Sequence, residues 1–106
     1  MVRIIRFKRR YLDLIIQGKK SITIRPADGR RYEQSLILTD GKRRVNTELI
    51  YVREDRLRNA LRFYRQEGFN TPQELLNTLK SLYPGIRMSS RVNIIKFRPL
   101  NTDASK

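Results

Sequence analysis

Residues 18–25, with the sequence GKKSITIR, combine a turn-forming glycine with a short strand that carries polar side chains on one face. Side chains of a strand alternate between its two faces, so the two isoleucines are predicted to enter a core while Ser21, Thr23 and Arg25 share the opposite face. Lys20 stands where the chain leaves the glycine turn and can lean toward the same polar face. Such a face can hold an anion, read a nucleobase or activate a hydroxyl group.

The composition of the chain indicates a polyanionic partner. The sequence has 106 residues, enough for one domain, and its 24 Lys and Arg against 10 Asp and Glu give a formal charge of +14. This charge costs self-repulsion in the folded state, which a polyanion would relieve. Arginines outnumber lysines 17 to 7, and nucleic acid is favoured because arginine binds phosphate bidentately and stacks on bases. The alternative is a charge-rich thermophilic surface, although such surfaces mix both signs and acidic residues are scarce here.

The sequence contains neither cysteine nor histidine. Disulfides, thiol nucleophiles, Ser-His-Asp triads and Cys/His zinc sites are therefore excluded. The opening MVRIIRFKRR has an apolar stretch too short for a signal peptide, and no run approaches the roughly 18 apolar residues of a membrane span. We expect a soluble, cytoplasmic protein with no membrane association, no metal and no cofactor.

Apolar patterns predict both strands and helices. Strands are expected within the polar segment just described and at 2–7, 36–38, 45–53 and 93–97. The dipeptide Asp40-Gly41 is a hairpin signal between the third and fourth of them. Helices are expected at 9–17, from Asp55 onward, and from the capping box Thr71-Pro72-Gln73-Glu74 to Tyr83-Pro84-Gly85.

This order, β-α-β-β-β-α-α-β, lacks a βαβ crossover signal and predicts an α+β protein. We expect a small mixed or antiparallel sheet that forms a compact barrel flanked by short helices. A single domain should occupy residues 1–98, and residues 99–106 should form a flexible C-terminal tail because they lack an apolar anchor.

Four groups of basic residues are candidate contacts for nucleic acid, because a fold that gathers them on one side would create a groove for a phosphate backbone. Each group alone is more often a solvated surface. They are Lys8-Arg9-Arg10, Arg30-Arg31, Lys42-Arg43-Arg44 and the helical stripe Arg58, Arg62 and Arg65. Among the tyrosines, Tyr32 in the polar loop is the one predicted to be free to stack on a base.

The segment IIQGKKSITIRP, at residues 15–26, resembles the ASCH family of the PUA-like superfamily. The resemblance extends over residues 3–98, because small bacterial members of the family share three further motifs in this order. They correspond here to Arg65-Gln66-Glu67, Tyr83-Pro84-Gly85 and Ile95-Lys96-Phe97. The resemblance implies a PUA-like barrel and, from the bacterial relatives, hydrolysis of the acetyl amide of N4-acetylcytidine by Lys20, Thr23 and Glu67.

The implied chemistry is coherent. A threonine hydroxyl becomes a nucleophile when a neighbouring base removes its proton, and a lysine can serve if its pKa is depressed by nearby positive charge. Glu67 would orient Lys20 or protonate the leaving nitrogen, Arg25 would hold the acyl oxygen or the base, and Ser21 and Tyr32 would complete the substrate contacts. The leading hypothesis is thus a domain that binds RNA or a modified cytidine, holds a base in a pocket lined by Lys20, Thr23, Arg25 and Glu67, and in addition hydrolyses N4-acetylcytidine. The two alternatives are a non-catalytic RNA-binding module, and a ribonuclease with a lysine base or a carboxylate-held metal.

Overall fold

The computed structural model describes residues 3–100. The strands are β1 (Arg3–Arg6), β2 (Ile22–Pro26), β3 (Ser35–Thr39), β4 (Arg44–Arg56) and β5 (Arg91–Pro99). The helices are α1 (Arg9–Ile16), α2 (Leu57–Ala60), which continues into a 3₁₀ turn (Leu61–Phe63), and α3 (Pro72–Leu82). Among residues 3–100, no helix is both long enough and apolar enough to span a bilayer.

All five strands belong to one curled sheet with the order β1-β3-β4-β5-β2. The pairs within it are antiparallel except for β1 and β3, which run parallel. The predicted class, an α+β protein with a small mixed or antiparallel sheet that forms a barrel flanked by short helices, is confirmed, and the sheet is a curled half-barrel. The parallel pair makes the sheet mixed, which is one of the two predicted forms, whereas the order of the strands was not predicted.

The two edge strands of the sheet, β1 and β2, are bridged by a side chain. Nη2 of Arg25, on β2, donates to the carbonyl oxygen of Arg6, on β1, at 2.8 Å. The half-barrel is thus held across its opening by a guanidinium group in place of a ladder of backbone hydrogen bonds.

The polar segment folds as its alternation predicts. Gly18 follows the last turn of α1 with φ +78° and donates its N–H to the carbonyl of Ile15 at 3.0 Å, as a glycine at this helix terminus should. Ile22 and Ile24 are then buried in the core. Thr23, between them, faces the other side of β2, so the segment separates apolar and polar side chains.

Helix α3 begins at the predicted capping box. The Thr71 hydroxyl accepts the backbone N–H of Glu74 at 3.1 Å, and the Glu74 carboxylate accepts the N–H of Thr71 at 3.2 Å. Its leucines recur at helical spacing, so Leu75 and Leu79 lie on the same face and are both buried. The helix ends at Leu82, directly before the Tyr83-Pro84-Gly85 turn.

Two elements differ in extent from the prediction. Strand β4 continues through Arg56, because Asp55 and Arg56 pair with Val92 and Arg91 of β5. The helical period therefore begins at Leu57 and not at Asp55. Strand β5 is longer than 93–97: Pro99 pairs with Thr47, and the N–H of Leu100 bonds to the carbonyl of Asn46 at 2.9 Å. The first two residues of the predicted tail thus contact the sheet, and its last six lie outside the described residues.

The core has two parts that meet beside β2 and the end of β1. One part packs the apolar side of β2 against α2 and α3, with Ile24, Leu75 and Leu79 among its members. The other packs α1 against β1, β3 and β5, with Phe7 and Leu12 among its members. The functional site described next lies where these two parts meet.

Candidate functional site

A cavity of about 130 Å³ opens between the two parts of the core. This volume is roughly ten times the 10–15 Å³ that one water molecule requires. Phe7 comes from one core part, and Ile24, Leu75 and Leu79 come from the other. The polar groups on the wall are Arg6, Lys8, Tyr11, Lys20, Thr23, Arg25, Glu67, Thr78 and Tyr83.

Lys20 and Glu67 form a buried pair on the cavity wall, each with about 4% of its surface exposed. The Lys20 ammonium donates to Oε1 of Glu67, to the carbonyl of Ile22 at 3.0 Å and to the carbonyl of Glu67 at 3.2 Å. Oε2 of Glu67 accepts the backbone N–H of Ile24 at 2.6 Å. Both carboxylate oxygens of Glu67 therefore accept hydrogen bonds, and the pair is attached to β2 through the backbone of Ile22 and Ile24.

The chain brings Glu67 to Lys20 through backbone contacts. The carbonyl of Gln66 accepts the N–H groups of Ser21 and Ile22, at 2.8 and 3.2 Å, so the segment before Glu67 lies against the start of β2. Gly68 follows with φ +95°, a conformation that glycine adopts without strain. Lys20 and Glu67 are 47 residues apart in the sequence, so no local sequence pattern predicts that they pair.

Burial lowers the pKa of the Lys20 amine to about 7, and the positive charge of Arg25 acts in the same direction. The Glu67 carboxylate beside Lys20 acts in the opposite direction, because a negative charge favours the ammonium form. The pair holds an amine that can lose its proton near neutral pH, which an exposed lysine does not do.

Thr23 presents its side chain to the same cavity and has only 4% of its surface exposed. Among residues 3–100 its hydroxyl makes no hydrogen bond. A threonine hydroxyl inside a strand usually bonds to a neighbouring group when it is buried. The free hydroxyl of Thr23 is therefore available to a ligand or a substrate.

Arg25 forms another part of the wall. Its guanidinium lies 4.9 Å from the ring centroid of Phe7, and its Nε is buried with no partner in the described part of the chain. Burial is the main cause that lowers the pKa of Arg25. A partly desolvated cation of this kind gains from a bound anion or carbonyl oxygen.

Aromatic rings that the sequence analysis did not select line the cavity. Phe7, Tyr11, Phe69 and Tyr83 all contribute to its wall, and the rings of Tyr11 and Phe69 are 6.2 Å apart. In the sequence these residues have the spacing of core positions, so no local signal distinguishes them. Flat apolar walls with a few polar groups between them suit a planar heterocycle.

Two predicted substrate contacts lie outside the cavity wall. Ser21 contributes its backbone N–H to Gln66 and does not line the cavity. The ring of Tyr32 has the guanidinium of Arg3 4.2 Å from its centroid, so this face of the tyrosine already stacks on a cation. The roles of Ser21 and Tyr32 as substrate contacts stay predictions.

Two of the basic runs meet beside the cavity. Nη2 of Arg43 donates to the carbonyl of Arg9 at 3.4 Å, which joins the 42–44 run to the 8–10 run. Lys8 lines the cavity itself. The guanidinium of Arg43 forms two ion pairs within the protein, because Nη1 contacts Asp13 at 2.7 Å and Nη2 contacts Asp40 at 2.9 Å.

The remaining basic residues lie elsewhere. Arg3 donates to the carbonyl of Arg31 at 3.4 Å, so the 30–31 run adjoins the start of β1, while the 8–10 run follows its end. Arg58 and Arg62 do not line the cavity. Arg65 lines a separate shallow depression together with Lys19 and Phe69.

The described residues contain no group of three or more His, Cys, Asp or Glu side chains placed to hold a metal ion. Glu67 is the one carboxylate that lines the cavity. Its two oxygens are taken by Lys20 and by the backbone of Ile24. The site is built from an amine, a hydroxyl, a guanidinium and aromatic rings.

The structure is similar to several solved structures, some of which are ASCH domains. The hypothetical protein PH0355 has 20% sequence identity and a TM-score of 0.77 over 94% of this chain and all of that one. An ASCH domain from Lactobacillus crispatus has 18% identity and a TM-score of 0.68, over 92% of this chain and 79% of its own. A mutant of ZmASCH from Zymomonas mobilis has 12% identity and a TM-score of 0.68, over 92% and 70%.

No protein-family model matches the sequence, and no curated protein matches it. At these identities the likeness to solved structures shows the fold alone. The fold is that of an ASCH domain, as the resemblance of residues 15–26 implied.

Proposed function

We propose that this ASCH-fold protein binds RNA or a modified cytidine, holds the base in the cavity, and hydrolyses the acetyl amide of N4-acetylcytidine. The observation that carries the proposal is the convergence of three groups on one wall. A buried Lys20 with a pKa of about 7, its partner Glu67 and the unpartnered Thr23 hydroxyl all line the same cavity. The aromatic walls supply the apolar surface that a base requires.

The proposed reaction has two stages. The neutral Lys20 amine removes the proton of the Thr23 hydroxyl, and Oγ1 attacks the acetyl carbonyl carbon. The C–N bond then breaks, and the Lys20 ammonium returns its proton to the exocyclic nitrogen of cytosine, which leaves an acetyl ester on Thr23. Water, deprotonated by Lys20, attacks this ester and releases acetate, which restores the Thr23 hydroxyl.

Glu67 and Arg25 support this chemistry in different ways. Glu67 is a positioning residue, since one of its oxygens contacts Lys20 and the other is fixed by the N–H of Ile24. Arg25 has a guanidinium on the cavity wall that can stabilise the oxyanion formed during the attack.

Non-catalytic binding is the second candidate function, and one observation favours it. The three hydrogens of the Lys20 ammonium have three acceptors, which are two carbonyls and the Glu67 carboxylate. In this second candidate function the fully bonded ammonium builds the wall and takes no part in a reaction. RNA would then bind at the basic surface, with a base in the cavity and no reaction.

An assay of N4-acetylcytidine hydrolysis, in which the release of acetate and cytidine is measured, tests the proposal. The reactive amine must be neutral, so kcat/KM is expected to rise about tenfold per pH unit below pH 7 and to level off above the Lys20 pKa of about 7. Lys20→Ala should abolish the reaction. Equal acetate release by wild type and Lys20→Ala would contradict the assignment of the base, and no release by wild type would leave binding as the function.

Binding to RNA is expected to weaken steeply with salt. Neutralising several phosphates releases counterions, so the logarithm of the association constant should fall with the logarithm of salt concentration with a slope of several units. Fluorescence anisotropy with a labelled RNA oligonucleotide measures this slope. A slope near zero, or no binding at low salt, would contradict the proposed RNA interface.

A further inference from the structure

A shallow depression adjoins the cavity mouth and shares part of its wall. It is lined by Arg6, Phe7, Lys8, Arg9 and Asp40. The first three of these also line the cavity. A ligand whose flat ring occupies the cavity can therefore extend a substituent into this depression.

Three cations in the depression have no protein partner. Within residues 3–100 the side chains of Arg6, Lys8 and Arg9 make no hydrogen bond or ion pair. Arginines elsewhere in the described residues can be paired with carboxylates, as Arg43 is with Asp13 and Asp40. The three free charges are thus concentrated at one place beside the cavity.

The acidic residue of the depression does not neutralise them. Asp40 accepts the backbone N–H of Arg43 at 2.8 Å and of Lys42 at 2.9 Å, and its other oxygen accepts Nε of Arg43 at 3.0 Å. These contacts, chiefly the backbone N–H of Arg43, hold the pKa of the Asp40 carboxyl well below its usual range. Asp40 bonds to Arg43 and not to the three cations, and three cations against one carboxylate leave the depression with a net positive charge.

The guanidinium of Arg6 is placed by the neighbouring turn. A Cβ atom on Gly41 would lie 2.8 Å from Nη2 of Arg6, so the guanidinium lies directly over the backbone of Gly41. A larger residue in this turn would displace it. Because Gly41 has no side chain, the guanidinium of Arg6 can lie over this turn, beside the cavity mouth.

We infer that the depression formed by Arg6, Lys8 and Arg9 is a phosphate subsite and that the ligand of the cavity is a nucleotide unit, free or within a strand, and not a bare nucleoside. This inference rests on the proposed function, because it takes a base to occupy the cavity. Phosphate is the group that matches unpaired guanidinium and ammonium donors.

The test compares dissociation constants, measured by calorimetry at low ionic strength, for cytidine, cytidine 5′-monophosphate, cytidine 3′-monophosphate and a short oligocytidylate. Wild type is expected to bind at least one phosphorylated ligand about tenfold or more tightly than cytidine, as charge-assisted hydrogen bonds to phosphate would give. In the triple variant Arg6→Gln/Lys8→Gln/Arg9→Gln this ratio should fall toward one. The variant Arg53→Gln/Lys80→Gln/Arg87→Gln removes the same charge from residues outside both surfaces and should keep the wild-type ratio.

The outcomes separate the two proposals. Tighter binding of a monophosphate indicates a free nucleotide, and tighter binding of the oligonucleotide alone indicates a strand. Equal affinity of wild type for cytidine and all phosphorylated ligands, or a ratio that survives in the triple variant, would overturn the subsite. Phosphate-dependent binding, together with no release of acetate from N4-acetylcytidine, would overturn the proposed hydrolysis alone. The absence of binding to all four ligands would overturn both the phosphate subsite and the proposed binding of a base.

Discussion

Thr23→Val is expected to abolish deacetylation of N4-acetylcytidine, with a fall in kcat of about 10³-fold or more. Valine keeps the shape and β-branching of threonine, so the buried position in β2 remains filled. The change removes only the hydroxyl, which makes no hydrogen bond within residues 3–100. The fold should therefore lose little stability while the reaction loses its nucleophile.

Thr23→Ser is the matched control for this variant. It keeps the hydroxyl and removes one methyl group, so a measurable rate should remain, with mass spectrometry detecting an acetyl ester on either residue. Thermal unfolding of both variants checks that each is folded. A wild-type rate in Thr23→Val would contradict the role of the hydroxyl and would direct attention to water activated by Lys20.

Lys20→Met is expected to destabilise the protein by about 3–5 kcal/mol, because it leaves the buried Glu67 carboxylate without its cation. Urea unfolding monitored by circular dichroism measures this loss. The carboxylate can escape the penalty by taking up a proton, so the loss should be smaller at pH 4 than at pH 6, where the Lys20 amine of the wild type still carries its proton. Its bond from the N–H of Ile24 is unaffected by the change.

The double variant Lys20→Met/Glu67→Gln is the control for that prediction. It removes both charges, and replacing a buried ion pair with neutral groups of similar volume is often close to neutral in free energy. Most of the stability should therefore return, while hydrolysis stays absent. Equal destabilisation of the single and double variants would show that the two side chains are not coupled.

The elements that the sequence predicted well are those with local signals. The capping box at Thr71 and the glycine at position 18 act through contacts within a few residues, and both are present as expected. The alternation of Ile22, Thr23 and Ile24 likewise places the two isoleucines in one part of the core and the Thr23 hydroxyl on the opposite face of β2. Each of these depends on spacing that can be read along the chain.

The features that the sequence did not predict depend on distant contacts. The extension of β4 through Arg56 is set by pairing with Arg91, and β1 pairs with β3 across the helix and strand that lie between them in the chain. For the site, the resemblance to ASCH domains proposed Lys20, Thr23 and Glu67 together, and the structure places all three on one cavity. Phe7 and Tyr11 carried no such signal, because a cavity wall and a core position have the same apolar spacing.

The guanidinium bridge between Arg25 and the carbonyl of Arg6 also concerns the unpaired edges of the sheet. Unpaired edge strands can recruit strands from other chains and lead to aggregation. In this fold β1 and β2 are the two edges of the sheet, and they approach each other across the cavity opening, where Arg25 occupies one edge acceptor. The opening of the proposed ligand site is thus also the place where a side chain of one edge strand takes an acceptor of the other.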